Sequence, residues 1–331
     1  MTYRPVAFTV ESLLRDVATR LNAPSGMSQI LATGYSSLDR VIWGLEPGKV
    51  YLVVGGPASG KTAFAFQMAD ELAQHTSVIY ATATEEPLHL LRRALALRGL
   101  VTFDQVLPLL AGSQEAPDQQ RLRAALEQYQ QMPQAKNLLI VDATHADEMC
   151  ALERLKETVT QHLQQRRVSG GAECFPVLFV DELSVFAYRD TWQRYQQQRA
   201  IVRSPESLPP WPGRQERDIV YLDSLVQLAR KASLAVVVLL ADPQVGECFR
   251  QGASKEGLLV ASEEVWTLAY DVDCVAAIGP ARDRQGQIQC DHHGNIEWWV
   301  SLLKVRHSAC PPSPLRFIYL PKYARFDDPV V

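Results

Sequence analysis

The chain has 331 residues, 47% of them hydrophobic and 21% charged, with a formal net charge of −4 and an isoelectric point of about 6.0. That supply of apolar side chains supports a sizeable core and excludes wholesale disorder, and the length permits either two domains or one large α/β unit. The mild acidity excludes a chain-wide basic surface for nucleic acid, so any phosphate-binding face has to be local.

Residues 1–29 read as an N-terminal arm. Within it Leu13, Leu14, Val17, Ala18 and Leu21 share one helical face opposite Glu11, Arg15, Asp16 and Arg20, and residues 22–26 break the pattern. A short amphipathic helix of this kind packs either on its own core, the slightly favoured reading, or on a neighbouring subunit. The first ten residues lack the basic start, apolar stretch and cleavage site of a signal peptide, and no apolar run reaches membrane-spanning length. Six cysteines (Cys150, Cys174, Cys248, Cys274, Cys290 and Cys310) stand far apart with no C-x-x-C pair, as reduced thiols do. The expectation is a cytoplasmic protein with no membrane partner.

From residue 30 to residue 331 the pattern is that of one domain. Residues 50–54 form an apolar strand, followed by a glycine-rich turn and a helix whose Phe64, Ala65, Met68, Ala69 and Leu72 make a single stripe. Further buried strands are expected at 77–84, 137–142, 177–181, 235–241 and 273–278, separated by helical segments such as 122–129, 152–163 and 221–231. Strands alternating with helices imply an α/β fold with a mainly parallel, twisted sheet covered on both faces. Residues 296–305 and 314–320 read as strands with no helix between them, so an antiparallel hairpin is expected to extend the sheet. Residues 165–174 read as a surface loop. Residues 188–216 carry Arg189, Arg194, Arg199, Arg203 and Arg214 among glutamines and four prolines, too long a stretch for a simple connector. It is either a functional segment or a solvated insertion with incidental charge.

Gly55-Gly56-Pro57-Ala58-Ser59-Gly60-Lys61-Thr62 fits the G-x-x-x-x-G-K-[ST] pattern, and it lies between a strand and a helix, the context that this pattern requires. The glycines let successive backbone N–H groups turn inward on phosphate oxygens, and the helix that follows adds the positive end of its dipole. Lys61 is expected to reach the β- and γ-phosphates of ATP, and Thr62 to offer its hydroxyl to Mg²⁺. The metal also needs a carboxylate at the end of a neighbouring strand, for which Asp142 and Asp181 compete. Asp181 is preferred because Leu178-Phe179-Val180 is the purer buried strand and Glu182 adds a second acid, whereas Asp142 also suits a helix cap. Hydrolysis further requires a group that orients or deprotonates water. Glu85 follows the 77–84 strand at the carboxyl edge of the sheet, where ligands bind in open α/β folds. Glu85-Glu86-Pro87 is equally an ordinary helix start, and position alone leaves the two readings even.

The order of these motifs resembles the ATPase domain of DnaB-type replicative helicases and, more loosely, the KaiC and RecA families, all RecA-like P-loop ATPases. The resemblance spans residues 33–328. Ahead of the phosphate loop, Thr33-Gly34-Tyr35-Ser36-Ser37-Leu38-Asp39, then Gly44-Leu45 and Pro47-Gly48, look like the lead-in of these domains, with Trp43 where a glycine is usual. The resemblance puts Glu85 on the catalytic glutamate that ends the second core strand, and the Glu-Glu pair is nearer to KaiC. The strand order between the glutamine-rich region and Asp181 is similar to the helicases and supports Asp181 as the magnesium carboxylate. Lys304-Val305-Arg306 matches the K-x-R pair that in these rings reaches the ATP of the adjacent subunit, so the resemblance implies Arg306 as an arginine finger with Lys304 beside it. Residues 317–326 resemble the last strand and its following R-F.

A finger acting between subunits implies a ring, expected to be a homo-hexamer. Two functions are then open: a motor that moves single-stranded DNA, and a KaiC-like regulatory ATPase whose turnover drives contacts with a protein partner. The second is favoured by Leu240-Ala241-Asp242-Pro243, which stands where helicases carry a Ser-Gln pair that senses γ-phosphate. It is also favoured by residues 245–262, the expected inner DNA-binding loop, which hold only Arg250 and Lys255 as cations. The whole-domain order favours the motor. A separate N-terminal domain like that through which replicative helicases meet primase is not expected. Cys290, Asp291, His292 and His293 are metal-ligand types without a partner pair at a recognisable spacing, and a hydrophilic turn is the preferred reading.

Overall fold

The computed structural model describes residues 30–110, 116–144, 152–168, 174–201, 208–251, 261–283 and 285–328, together with Val10. The amphipathic arm at 11–29 lies outside the described residues. The chain runs through α1 (Ser36–Ile42), β1 (Val50–Gly55), α2 (Lys61–Leu72), β2 (Val78–Thr82), α3 (Pro87–Leu97), α4 (Phe103–Leu110), α5 (Ala116–Gln131), α6 (Gln134–Asn137), β3 (Leu138–Asp142) and α7 (Leu152–Val168). It continues through β4 (Val177–Asp181), α8 (Leu183–Ile201), α9 (Arg214–Ala232), β5 (Ala235–Ala241), α10 (Pro243–Arg250), α11 (Glu263–Ala269) and β6 (Cys274–Pro280). The antiparallel strands β7 (Ile296–Val305), β8 (Leu315–Leu320) and β9 (Arg325–Asp327) close it.

One sheet gathers the strands in the order β3-β2-β4-β5-β1-β6-β7-β8-β9. The first six in that order are parallel, and β7 to β9 add an antiparallel edge. Because β1 lies between β5 and β6, helices cover both of its faces and each of its six residues is buried. Alternate side chains of a strand point to opposite faces. Tyr51 and Val53 accordingly enter the core shared with α2 and α3, while Val50, Leu52 and Val54 enter the core shared with α8, α9 and α11. A strand buried on both sides needs apolar residues at every position, which is the run seen in the sequence.

The antiparallel edge wraps onto α2 through aromatic rings. Phe64 is buried, stacks on Tyr35 at 4.3 Å between centroids, and meets Phe317 and Phe326 edge-on at 5.6 and 5.5 Å. Phe64→Ala is expected to destabilise the fold by about 3–5 kcal/mol, read as a lower midpoint in urea unfolding.

Several local expectations require correction. Residues 188–216 are not a patternless insertion: α8 runs on to Ile201 and α9 begins at Arg214. Only Leu183, Phe186, Ala187 and Asp190 of α8 are fully buried, so most of the helix is polar all round and shows little periodicity. Helix α7 likewise extends to Val168, into the stretch read as a loop. Trp43, where the related domains have glycine, caps α1 at φ 64, the left-handed conformation that glycine adopts without strain, and it is exposed.

Candidate active site

The turn after β1 is built by packing as much as by its glycines. Gly60, the N-cap of α2, has φ 80, and a Cβ there would come within 3.1 Å of the Trp298 ring. Trp298 of β7 also donates its indole N–H to the Ser59 carbonyl at 2.8 Å, so the antiparallel edge bears directly on the loop. A Cβ at Gly56 would lie 2.7 Å from the backbone of Gly246 in α10. Lys61 turns back over the loop and donates to the carbonyls of Gly55 and Gly56, both at 3.1 Å. Its burial lowers the pKa of the ammonium, against the opposing pull of Glu182 and Asp181. The Ser59 hydroxyl is buried with no hydrogen-bond partner, an unsatisfied polar atom inside the turn.

Asp181 ends β4, and β5 separates β4 from β1. Its carboxylate nevertheless accepts the Tyr80 hydroxyl at 2.9 Å and lies near Thr62 at the start of α2. Burial pushes its pKa up to about 6, and the two hydroxyls oppose the shift. Its competitor Asp142 ends the edge strand β3, on the far side of β2 from Asp181, and folds onto Thr144 N and Oγ1 at 2.8 and 2.6 Å.

Glu85 lies beyond β2, where Thr82 Oγ1 accepts its backbone N–H at 3.0 Å. Glu86 is the N-cap of α3 and Pro87 its first residue, so the helix start falls on those two. Glu85 is left to line a cavity of about 330 Å³ together with the loop residues 58–63, Arg93, Trp298 and Tyr319. Arg93 of α3 grips its carboxylate in a two-bond fork, Nε to Oε2 at 3.0 Å and Nη2 to Oε1 at 2.5 Å.

Lys304 and Arg306 are not brought to this cavity. Strand β7 runs antiparallel to β6 and pairs Val305 with Cys274, which is level with Tyr51 at the start of β1. The pair therefore sits at the amino edge of the sheet, about 20 Å from the loop at ~3.3 Å per strand residue. Lys304 donates to the carbonyls of Val272 at 2.8 Å and of Ala269, closing the end of α11. Arg306 bonds the Tyr270 carbonyl at 3.2 Å and lies 3.3 Å from Asp273, which also takes Lys49 at 3.3 Å and the backbone N–H of Val50 at 3.0 Å.

Glu182 has more structure around it than its description as a second acid suggests. It is buried beside Lys61, accepts the backbone N–H of Ala241 at the end of β5, and burial pushes its pKa up to about 7. The only signal for it in the sequence is adjacency to Asp181. At the place of the helicase Ser-Gln pair, Asp242 caps α10 by accepting Gln244 N and Val245 N, and also accepts Ser262 N, the N-cap of α11, so it joins the starts of the two helices. Of the arginines in 188–216, Arg194 pairs with Asp190, Arg189 donates to the Ala143 and Thr144 carbonyls, and Arg214 lies 3.4 Å from Glu264 and donates to Ala241 O. Arg203 lies outside the described residues. Asp291 accepts the N–H groups of His293 and Asn295, folding 290–295 into a turn. Among the described residues no group of three metal-ligand side chains converges, and no helix is long and apolar enough to cross a membrane.

The family model for the DnaB-like helicase C-terminal domain matches residues 30–209, more than half of the chain. The match holds the phosphate loop, Glu85 and Asp181 and ends before β5, so Lys304 and Arg306 lie beyond it. Among solved structures, one ATPase domain is similar at a TM-score of 0.70 and 16% identity, over 98% of this chain and 99% of that one. A structure of a DnaB-like replicative helicase, described with its interactions with primase, is similar at a TM-score of 0.66 and 15% identity, over 97% of this chain and 67% of that one. At these identities the likeness is one of fold. No curated protein matches the chain. On the family match and the sheet order together, the chain belongs to the DnaB-like helicase C-terminal domain family and has its RecA-like P-loop ATPase fold.

Proposed function

We propose that this protein binds and hydrolyses ATP with Mg²⁺ and couples turnover to movement along single-stranded nucleic acid as a ring. The observation that carries the nucleotide reading is the approach of Asp181, at the end of β4, to Lys61 and Thr62 at the start of α2, across the intervening strand β5. A hydroxyl and a carboxylate brought together there are the two protein oxygens that a magnesium–triphosphate complex needs. The unpartnered Ser59 hydroxyl in the turn also suits an anionic ligand that completes its bonding. When bound, the metal supplies charge neutralisation at the transferring phosphoryl group.

In this reading the N–H groups of residues 55–62 cradle the phosphates and Lys61 exchanges the Gly55 and Gly56 carbonyls for phosphate oxygens. Glu85 orients water on the cavity side away from the loop. Arg306 and Lys304 serve the site of the next subunit, a head-to-tail contact that closes into a ring, expected to be a hexamer. Membership of a helicase-domain family supports the motor.

One observation favours a KaiC-like regulatory ATPase instead. Of the two cations in residues 245–262, Arg250 lies at the end of α10 and is already paired with Glu247, and Lys255 lies outside the described residues. The two readings part on one measurement, the ATPase rate with and without single-stranded DNA over a salt series. A motor is expected to be stimulated, with DNA affinity falling steeply as salt rises. Absence of both stimulation and binding at low salt would sink the motor and leave the regulatory reading.

A further inference from the structure

Arg93 has no role in the scheme above, yet its guanidinium lies in the same cavity as the phosphate loop. It comes from α3, reaches Glu85 through two bonds, and shares the cavity wall with Tyr319 of β8. Its side chain is only 16% exposed and Glu85's 22%, so both charges face the cavity rather than bulk water. Burial alone would lower the guanidinium's pKa; the bonds to Glu85 outweigh it and hold it above its ordinary value. A carboxylate gripped by an arginine fork is a poorer acceptor for a proton from water, because one lone pair on each oxygen is committed to the fork and the guanidinium charge stabilises the anion.

We propose that Arg93 is a positioning residue with two alternative partners: it holds Glu85 in the nucleotide-free protein and transfers to the terminal phosphate when a triphosphate enters, releasing the carboxylate to the attacking water. The inference rests on the reading of Glu85 as the base. A planar guanidinium matches phosphate as well as it matches carboxylate, so one fork can serve either acceptor. A terminal phosphate carries more charge than one carboxylate, and with Mg²⁺ in place it still presents oxygens to the cavity. A diphosphate fills the loop but stops short of the place where Glu85 meets the reacting phosphoryl group, and so leaves the fork closed. The device therefore distinguishes triphosphate from diphosphate before any bond is broken.

The test is a binding measurement, independent of which residue activates water. Affinities of a non-hydrolysable ATP analogue and of ADP, both with Mg²⁺, are compared in wild type, Arg93→Gln and Arg93→Lys by calorimetry. Arg93→Gln is expected to weaken the analogue by about tenfold or more and ADP by much less, so that the preference for triphosphate collapses. Arg93→Lys, which keeps the charge without the fork, is expected to recover part of the preference. KM for ATP should rise by the same factor as the analogue's affinity falls. Equal weakening of both nucleotides, or no change in either, overturns the inference, as does a loss of kcat with the triphosphate preference intact, because Arg93 is then a fixed support for Glu85. Should Arg93→Gln fail to fold, the same comparison in Arg93→Lys decides, an unaltered preference counting against. Failure of the Glu85 reading shows separately, as wild-type turnover in Glu85→Gln.

Discussion

Arg306→Ala is expected to lower ATP turnover by about a thousandfold or more while leaving nucleotide affinity nearly unchanged, the effect of removing an arginine that meets transition-state charge from a neighbouring subunit. The geometry makes the test informative. Arg306 stands at the amino edge of the sheet beside Asp273, an entire strand length from its own phosphate loop, so it has no route to that loop within one chain. An effect on turnover must then come through another copy. Mixing supplies the direct check: Arg306→Ala subunits keep an intact loop, and Lys61→Ala subunits keep an intact arginine. Two such inactive preparations are expected to regain part of the activity when combined, measured as phosphate release. Wild-type turnover in Arg306→Ala would remove the shared site and with it the reason to expect a ring. The home contacts of the Arg306 side chain, one partly exposed ion pair and bonds to the Tyr270 and Val272 carbonyls at 3.2 and 3.5 Å, are weak enough to exchange for a phosphate.

Glu85→Gln carries the second large effect, an expected loss of about 10²–10⁴ in kcat with nucleotide binding preserved. The amide keeps the shape and one acceptor oxygen but cannot take a proton from water. Two controls make the outcome specific. Glu86, the N-cap of α3, changed to Gln should leave kcat near wild type, since its place is the helix start. Glu182→Gln tests the other buried acid near Lys61; it is expected to affect the Ala241 contact and the lysine's surroundings more than the chemical step. If Glu182→Gln abolishes turnover and Glu85→Gln does not, the base has been assigned to the wrong carboxylate. Single-turnover phosphate release separates chemistry from binding in each variant.

Much of this site was legible in the amino-acid order, because the phosphate loop is local in the chain. Eight consecutive residues between an apolar strand and an apolar-striped helix can make only a few turns, and Gly55, Gly60, Lys61 and Thr62 stand at the positions to which the proposed function assigns phosphate and metal binding. The buried strands were legible for a similar reason: with both faces covered, β1 and β5 have no polar side chains to blur them, and β4 has only its last residue, Asp181. Helix α8 was not, since its long polar surface gives no periodic stripe, and its helicity is held by neighbours at its buried first turns. The preference for Asp181 over Asp142 as the proposed magnesium carboxylate was open in the sequence; the strand order, which no local pattern shows, sets β4 one strand from β1 and β3 at the far edge.

The sequence by itself determined that a nucleotide-phosphate loop follows the first core strand of a parallel α/β sheet, because that information sits in adjacent residues whose backbone geometry is nearly self-contained. Only the tertiary structure decided what surrounds it. Arg93 on Glu85, Trp298 on Ser59, Glu182 on Ala241 and Arg306 on Asp273 join residues 8, 239, 59 and 33 positions apart in the chain. Such contacts follow from strand order and register, which arise from the packing of all elements at once and leave no local mark on the residues that make them.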